Sequence, residues 1–305
     1  MRTNSRDKAL QEIKVSEPSQ LLEFLVNKNV RKSRTAAKSL LAHKQIRING
    51  KLITQFDFEL KEGDMVAIMK YDQSRKEKRL KGLKIVYEDD YIVIVDKEVG
   101  LLSVSTEREK LRTAFGILNE YVKKQNKQSR VYVLHRLDRE ASGLMAFSKD
   151  QDIQSQFQKN WDKFVPVYTY TAVVEGEVNP KNGTIVSWLT ENKNYQVFST
   201  SFDNGGLKSV THYNTVKVGG RYSLVNFNLE TRRKNQLRAQ MQQLGHPVVG
   251  DKKYGAANKP IKRIALHAQD MAIKHPVTGE MLEFKSPIPK TLLELLTDNT
   301  KIKHE

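Results

Sequence analysis

The sequence predicts an α+β fold: a large, mainly antiparallel mixed sheet flanked by helices, preceded by a small α/β module. Three observations carry this expectation. The chain has 305 residues, enough for about two domains. Positive charge is concentrated at the start, where residues 1–82 hold 19 Lys and Arg against 10 Asp and Glu. From residue 83 onward, short β-like apolar runs dominate, with long connections and no phosphate-loop glycine pattern, which argues against a doubly wound sheet.

The elements follow in order. Residues 1–19 read as an N-terminal extension. In 20–69, Leu21, Leu22, Leu25 and Val26 recur at helical spacing. Ser33 is placed to cap a second helix, because its hydroxyl can accept from the free N–H groups of the first turn. On that helix Ala36, Ala37, Leu40 and Leu41 form one stripe, with Arg31, Arg34 and Lys38 opposite. Ile46-Arg47-Ile48 alternates, Asn49-Gly50 is a two-residue hairpin turn, and Gly63-Asp64 opens an apolar run from Met65 to Ile68. Residues 70–82 offer no apolar face and read as a basic linker. In 83–305, strands are expected at Leu83–Tyr87, Tyr91–Val95, Val131–Leu134, Gly143–Phe147, Val167–Val174 and Leu224–Leu229. Helices are expected at Ile153–Trp161 and Asn235–Leu244. Leu237, Met241 and Leu244 would face the core, leaving Arg238 at the edge of that stripe.

Composition narrows the function. The net charge of +17 points to a polyanionic partner. No apolar run approaches the roughly 18 residues needed to span a bilayer, so no membrane role is expected. The first residues lack the apolar stretch of a secretory signal. The absence of cysteine excludes disulfides, cysteine-containing zinc sites, iron–sulfur clusters and thiol catalysis, and fits a cytoplasmic location. His212, His246 and His267 have no ligand spacing, so no metal is assigned.

The segment that carries chemistry is His135-Arg136-Leu137-Asp138-Arg139-Glu140-Ala141-Ser142-Gly143-Leu144. A strand ends at Leu134 and another resumes at Leu144, so Asp138 lies on a charged loop between two core strands. Rigid strands can hold such a carboxylate in one place. Spacing alone leaves a salt bridge to a neighbouring Arg as an equal reading.

This segment resembles the signature loop of the RluA family of RNA pseudouridine synthases, which reads His-Arg-Leu-Asp, two variable residues, then Thr/Ser-Ser-Gly-Leu. Further segments resemble the family in its order: Val95-Asp96-Lys97 through Gly100-Leu101, the Tyr168-to-Gly176 strand, and Leu229-Glu230-Thr231 through Gln236-Leu237-Arg238. Gly245-His246-Pro247 through Tyr254-Gly255, Leu266-His267-Ala268 and His275-Pro276 complete the set. Residues 20–69 resemble the alpha-L RNA-binding domain of ribosomal-protein type through Ser33-Arg34, Ile46 to Lys51 and Leu60 to Val66. The departures are Ala141 for Thr, Glu98 for Pro, Tyr168 for Lys, and Arg232-Arg233-Lys234-Asn235-Gln236 for Gly-Arg-Thr-His-Gln.

The resemblance implies a pseudouridine synthase fold over 83–305 and isomerisation of uridine in structured RNA. Large-subunit ribosomal RNA is the expected substrate, with transfer RNA as an alternative. It implies Asp138 as catalytic carboxylate, Tyr170 as active-site aromatic and Arg238 as partner of Asp138. RNA contacts are expected from Arg136 and, in the first module, from Arg31, Arg34, Lys38, Lys44 and Arg47. His135 would order the loop. No cofactor, metal or nucleotide is implied, and a monomer is expected. A non-catalytic RNA-binding or assembly factor on the same fold is the competing expectation, resting on the altered residues 232–235.

Overall fold

The computed structural model describes residues 9–30, 33–42, 45–69, 78–105, 112–257 and 260–297. Its first module comprises β1 (Ala9–Lys14), β2 (Ser19–Gln20), α1 (Leu21–Asn27), α2 (Arg34–Ala42), β3 (Ile46–Ile48), β4 (Lys51–Leu52), β5 (Glu59–Leu60) and β6 (Met65–Met69). The four-stranded sheet runs β1-β6-β3-β4, and β2 pairs with β5. Leu21, Leu22 and Leu25 of α1 bury against Leu40 and Leu41 of α2, with Ile46, Val66 and Ile68 beneath them. Burying each such side chain contributes about 2 kcal/mol. Ser33 Oγ accepts from Ala36 N at 3.1 Å and caps α2. Asn49 and Gly50 both have positive φ, as the tight hairpin between β3 and β4 requires. Asn49 also donates to Asp64 Oδ1 at 2.8 Å and accepts from Met65 N, tying the hairpin to β6.

Two boundaries differ from the sequence expectation. Residues 9–14 are not an appended extension, because β1 pairs antiparallel with β6 and Ile13 packs on the small core. Within the expected linker, Lys78–Leu80 forms a strand against the start of the large sheet.

The second module comprises β7 (Lys78–Leu80), β8 (Leu83–Glu88), β9 (Ile92–Lys97), α3 (Ala114–Gln125), β10 (Tyr132–Val133), β11 (Ser142–Ser148), α4 (Gln151–Lys159), α5 (Trp161–Phe164) and β12 (Val167–Glu175). It continues with β13 (Asn182–Glu191), β14 (Val197–Thr200), β15 (Leu207–Gly219), β16 (Tyr222–Leu229), α6 (Gln236–Gln243), β17 (Leu266–Lys274), β18 (Met281–Lys285) and α7 (Lys290–Glu294). Twelve strands form one sheet along the path β14-β13-β15-β16-β12-β17-β11-β9-β8-β7, with β10 added to β11 and β18 to β17. Among the described strands of this sheet only β11 and β17 pair in parallel, so the sheet is mixed and mainly antiparallel. Its core contains Ile92, Val93, Leu144, Met145, Phe147 and Val173, all solvent-excluded. The turn at Glu88-Asp89-Asp90 is built on a buried carboxylate: Asp89 accepts from Tyr91 N, Ile92 N and the Tyr87 hydroxyl, and pairs with His275 at 2.7 Å. Leu244 departs from expectation. It follows the end of α6 and is 41% exposed, while Leu237 and Met241 are buried as the stripe requires. Among the described residues no helix is long and apolar enough to cross a membrane.

Candidate active site

The loop 134–141 joins β10 to β11 and is pinned from several directions. The Ser103 hydroxyl donates to Leu137 O at 2.6 Å and accepts from Leu137 N at 3.0 Å. Lys97, fully buried on β9, donates from Nζ to Ala141 O at 2.7 Å, Leu101 O at 2.8 Å and Glu98 O at 3.1 Å. Burial pulls its ammonium down to about 8, against the attraction of Asp138 and Glu140. Where the loop enters β11, Gly143 takes φ of +113°. A Cβ there would lie 2.1 Å from the Ala268 carbonyl oxygen, so only glycine allows β17 to approach. Ser142 Oγ contacts His267 Nδ1 at 2.8 Å and accepts from Arg263 at 2.7 Å, fixing the far end.

Asp138 is thereby presented to a cleft of about 950 Å³, lined also by Tyr170, Arg238, Arg136 and Trp161. Arg238 Nη1 donates to Asp138 Oδ2 at 3.3 Å. The expected pairing is present, but it is not the guanidinium's main contact. Arg238 grips buried Asp251 with two prongs, Nε to Oδ2 at 2.5 Å and Nη2 to Oδ1 at 2.9 Å. It also reaches Glu140 at 3.4 Å and lies 4.9 Å over the Tyr254 ring. Burial opposes the Arg238 charge, but Asp251, Asp138 and Glu140 outweigh burial and hold its pKa above the ordinary value. Burial raises the Asp138 carboxyl, and Glu140 and Asp251 add to the rise against the counterweight of Arg238.

Tyr170, on β12, is buried, and its ring lies 4.9 Å from that of Tyr168. Burial, reinforced by Asp138, pushes the Tyr170 hydroxyl up to about 12, so it stays a neutral phenol at ordinary pH. His135 accepts from Ala146 N at Nε2, 2.9 Å away. Its ring meets Trp161 and Tyr168 edge-on, at 5.0 and 4.8 Å. Burial, with the Arg232 charge added, lowers His135 to about 3, which keeps Nε2 an acceptor. Arg136 is exposed at the cleft.

Helix α6 is seated through polar contacts. Gln240 donates to Ser187 Oγ at 3.0 Å and accepts from Thr211 at 2.6 Å, while Gln236 donates to Thr211 at 2.8 Å. These bonds set Arg238 over the loop.

The structure therefore brings together Asp138, Tyr170, Arg238, Arg136 and His135. Arg34, Lys38 and Arg47 belong to the first module and do not line this cleft. Arg34 and Lys38 are exposed on α2, Lys38 lying 5.1 Å over the Phe56 ring, and Arg47 is half-buried on β3. Arg31 and Lys44 lie outside the described residues. Sequence reasoning did not give Asp251, Lys97 or Ser103 these roles. The contacts that define these roles, Asp251 with Arg238, Ser103 with Leu137 and Lys97 with Ala141, span 13, 34 and 44 residues of chain. Among the described residues no group of three or more His, Asp or Glu is arranged to hold a metal ion.

A half-buried carboxylate facing a guanidinium in a cationic cleft, on a chain that also carries a small basic helix-and-hairpin module, fits an enzyme directed at a polyanion. Comparison with known proteins gives the class. Residues 91–243 match the RNA pseudouridylate synthase family, and residues 21–66 match the S4 domain. The uncharacterized RNA pseudouridine synthase YjbO of Bacillus subtilis is 31% identical over 259 residues, 82% of this chain and 89% of that protein. Ribosomal large subunit pseudouridine synthase D of Haemophilus influenzae is 30% identical, covering 74% and 73%. The solved structure of human RNA pseudouridylate synthase domain containing 4 superposes with a TM-score of 0.57 at 20% identity, over 68% of this chain and 90% of that one, a likeness of fold. The chain belongs to the RluA-type RNA pseudouridine synthases and carries an S4 RNA-binding domain at its N-terminus.

Proposed function

We propose that this enzyme converts specific uridines of large-subunit ribosomal RNA to pseudouridine, with Asp138 as the reacting carboxylate. The observation that carries the reading is Asp138 Oδ2 lying 3.3 Å from Arg238 Nη1, in a cleft it shares with Tyr170. Isomerisation breaks the bond from ribose C1′ to uracil N1, turns the base, and joins C1′ to C5, whose hydrogen then leaves as a proton. An ionised carboxylate serves this chemistry either as nucleophile or as base toward the ribose. Arg238 favours that ionised form, and burial strengthens the interaction between the two. A base stacked in RNA cannot reach Asp138, so the uridine must be flipped into the cleft. Tyr170, held as a phenol, supports the base through its ring and offers a hydroxyl donor rather than a ready base. Arg136 is free at the cleft surface to meet the RNA backbone.

The choice of ribosomal RNA is supported by the S4 domain, with Arg34 and Lys38 exposed on α2, and by the names of relatives such as the Haemophilus influenzae protein. Such a substrate would place the enzyme in the cytoplasm. The test is tritium release from RNA labelled at uracil C5, prepared from cells lacking this protein and fractionated into ribosomal and transfer RNA. Wild type should release tritium from the large-subunit fraction, and Asp138→Asn should release none while binding normally. Release from transfer RNA alone would reassign the substrate, and turnover by Asp138→Asn would remove Asp138 from the chemistry.

A further inference from the structure

One wall of the cleft has a feature that the isomerisation chemistry does not use. Arg232, on the loop between β16 and α6, lies 5.2 Å over the indole of Trp161, the first residue of α5. Its Nη2 donates to Asp162 Oδ1 at 3.1 Å. Both Arg232 and Trp161 line the same cleft as Asp138. The position is the one where the resembling family reads Gly, and a glycine has no side chain to reach Trp161, so the contact is a property of this chain.

Two things make the arrangement exchangeable. The Asp162 carboxylate is 77% exposed, so its pair with Arg232 is weak and screened. Around Trp161, three buried N–H groups lack an acceptor among the described residues: Arg232 Nε, Trp161 Nε1 and His135 Nδ1, the last assigned because Nε2 is already an acceptor. Buried donors are rarely left so, and an arrangement that supplies an anionic oxygen relieves the deficit. A phosphate offers Nη2 an oxygen in place of the single Asp162 oxygen it now holds, and a second oxygen to the unpartnered Nε of the same guanidinium. Arg136, Arg233 and Lys234 line the same cleft and add to its positive potential, which selects a phosphate over an uncharged base edge.

We propose that Arg232, laid on Trp161, is a substrate-positioning residue that leaves Asp162 to grip an RNA backbone phosphate beside the target uridine. The proposal rests on RNA being the substrate, and its test is scored by binding, separately from turnover. The full-length protein is titrated with a C5-tritiated transcript of large-subunit ribosomal RNA over a range of salt. Arg232→Gly installs the residue of the resembling family and removes the contacts with Trp161 and Asp162. It should weaken binding about tenfold and flatten the log–log salt slope by about 0.7 to 0.9. Asp162→Asn should do the opposite and tighten binding by about two- to fivefold, because the fork no longer has to be released. An unchanged slope in Arg232→Gly, or equal or weaker binding in Asp162→Asn, overturns the proposal and makes the pair structural. No tritium release by wild type, with the Arg232 effect on the slope intact, would instead sink the synthase assignment for this RNA and leave the phosphate contact standing.

Discussion

Arg238 serves two carboxylates, and a pair of substitutions can separate them. Its Nε and Nη2 are committed to Asp251, which is 1% exposed and has no other hydrogen-bonding partner among the described side chains. Arg238→Met therefore strands a buried charge, a change worth about 3–5 kcal/mol. With about 2–4 °C lost per kcal/mol in a domain of this size, the melting temperature should fall by roughly 6–20 °C. Replacing both partners, as in Arg238→Met with Asp251→Leu, removes the stranded charge and should return stability close to wild type. Activity should not return, because Asp138 still lacks the guanidinium 3.3 Å away that favours its ionised form. Calorimetry and single-turnover tritium release on the same preparations read the two effects. Recovery of activity with stability in the double variant would show that Arg238 acts only through the fold. A wild-type melting temperature for Arg238→Met alone would refute the dependence of Asp251 on it.

Glu140 lies 3.4 Å from the same Nη1 and raises the Asp138 carboxyl by its charge. With Asp138 as the proposed reacting carboxylate, in its ionised form, the acid limb of kcat/KM should lie above the ordinary carboxylate value, and Glu140→Gln should move it to lower pH; an unmoved or raised limb contradicts this coupling. Gly143→Ala forces a Cβ to within 2.1 Å of a backbone oxygen at φ of +113° and should destabilise the catalytic module by roughly 4 kcal/mol or more, read by denaturant titration. A soluble, fully active Gly143→Ala protein would show that β17 can yield.

The parts of this fold that were legible in the sequence are those with a local signal. Ser33 ahead of an apolar stripe, Asn49-Gly50 between alternating residues, and a charged loop between two apolar runs at Leu134 and Leu144 each have a mechanism within a few residues. Strands β13 to β15 escaped because polarity does not track their faces: Ser187, Ser209 and Thr211 are buried, whereas Val186, Phe198 and Val216 are exposed. Helix α6 hid its own seating, since Gln236 and Gln240 are buried yet read as surface residues. Strand β17 is buried along nearly its whole length and so lacks alternation, β18 alternates over only five residues, and helix α3, capped by Thr113 Oγ1 and anchored by Leu118 and Val122, lies in a stretch to which no element was assigned. The roles of Asp251 and Lys97 depend on partners that only the tertiary fold brings near. Lys97 holds two nearby carbonyls, those of Glu98 and Leu101, but the third, Ala141 O, arrives only when the loop folds over it.

The sheet itself explains why the site opens where it does. On one side, β11 is paired with β9 from Gly143 to Ser148. On the other it pairs with β17 only at Ser142 and Gly143 and with β10 only at Phe147 and Ser148. Between those two short ladders the backbone of residues 144–146 needs other partners, since buried peptide groups are costly to leave unmade. Leu144 O accepts from the Tyr168 hydroxyl at 2.9 Å, and Ala146 N donates to His135 Nε2 at 2.9 Å. Two cleft side chains thus complete a ladder that strands leave unfinished. Both side chains line the cleft that also holds Asp138 and Tyr170. The same bond requires His135 neutral, which its depressed pKa ensures, and His135 stands three residues before Asp138 on the loop. The gap in the sheet, the neutral histidine that seals it and the placement of the carboxylate are therefore one structural arrangement.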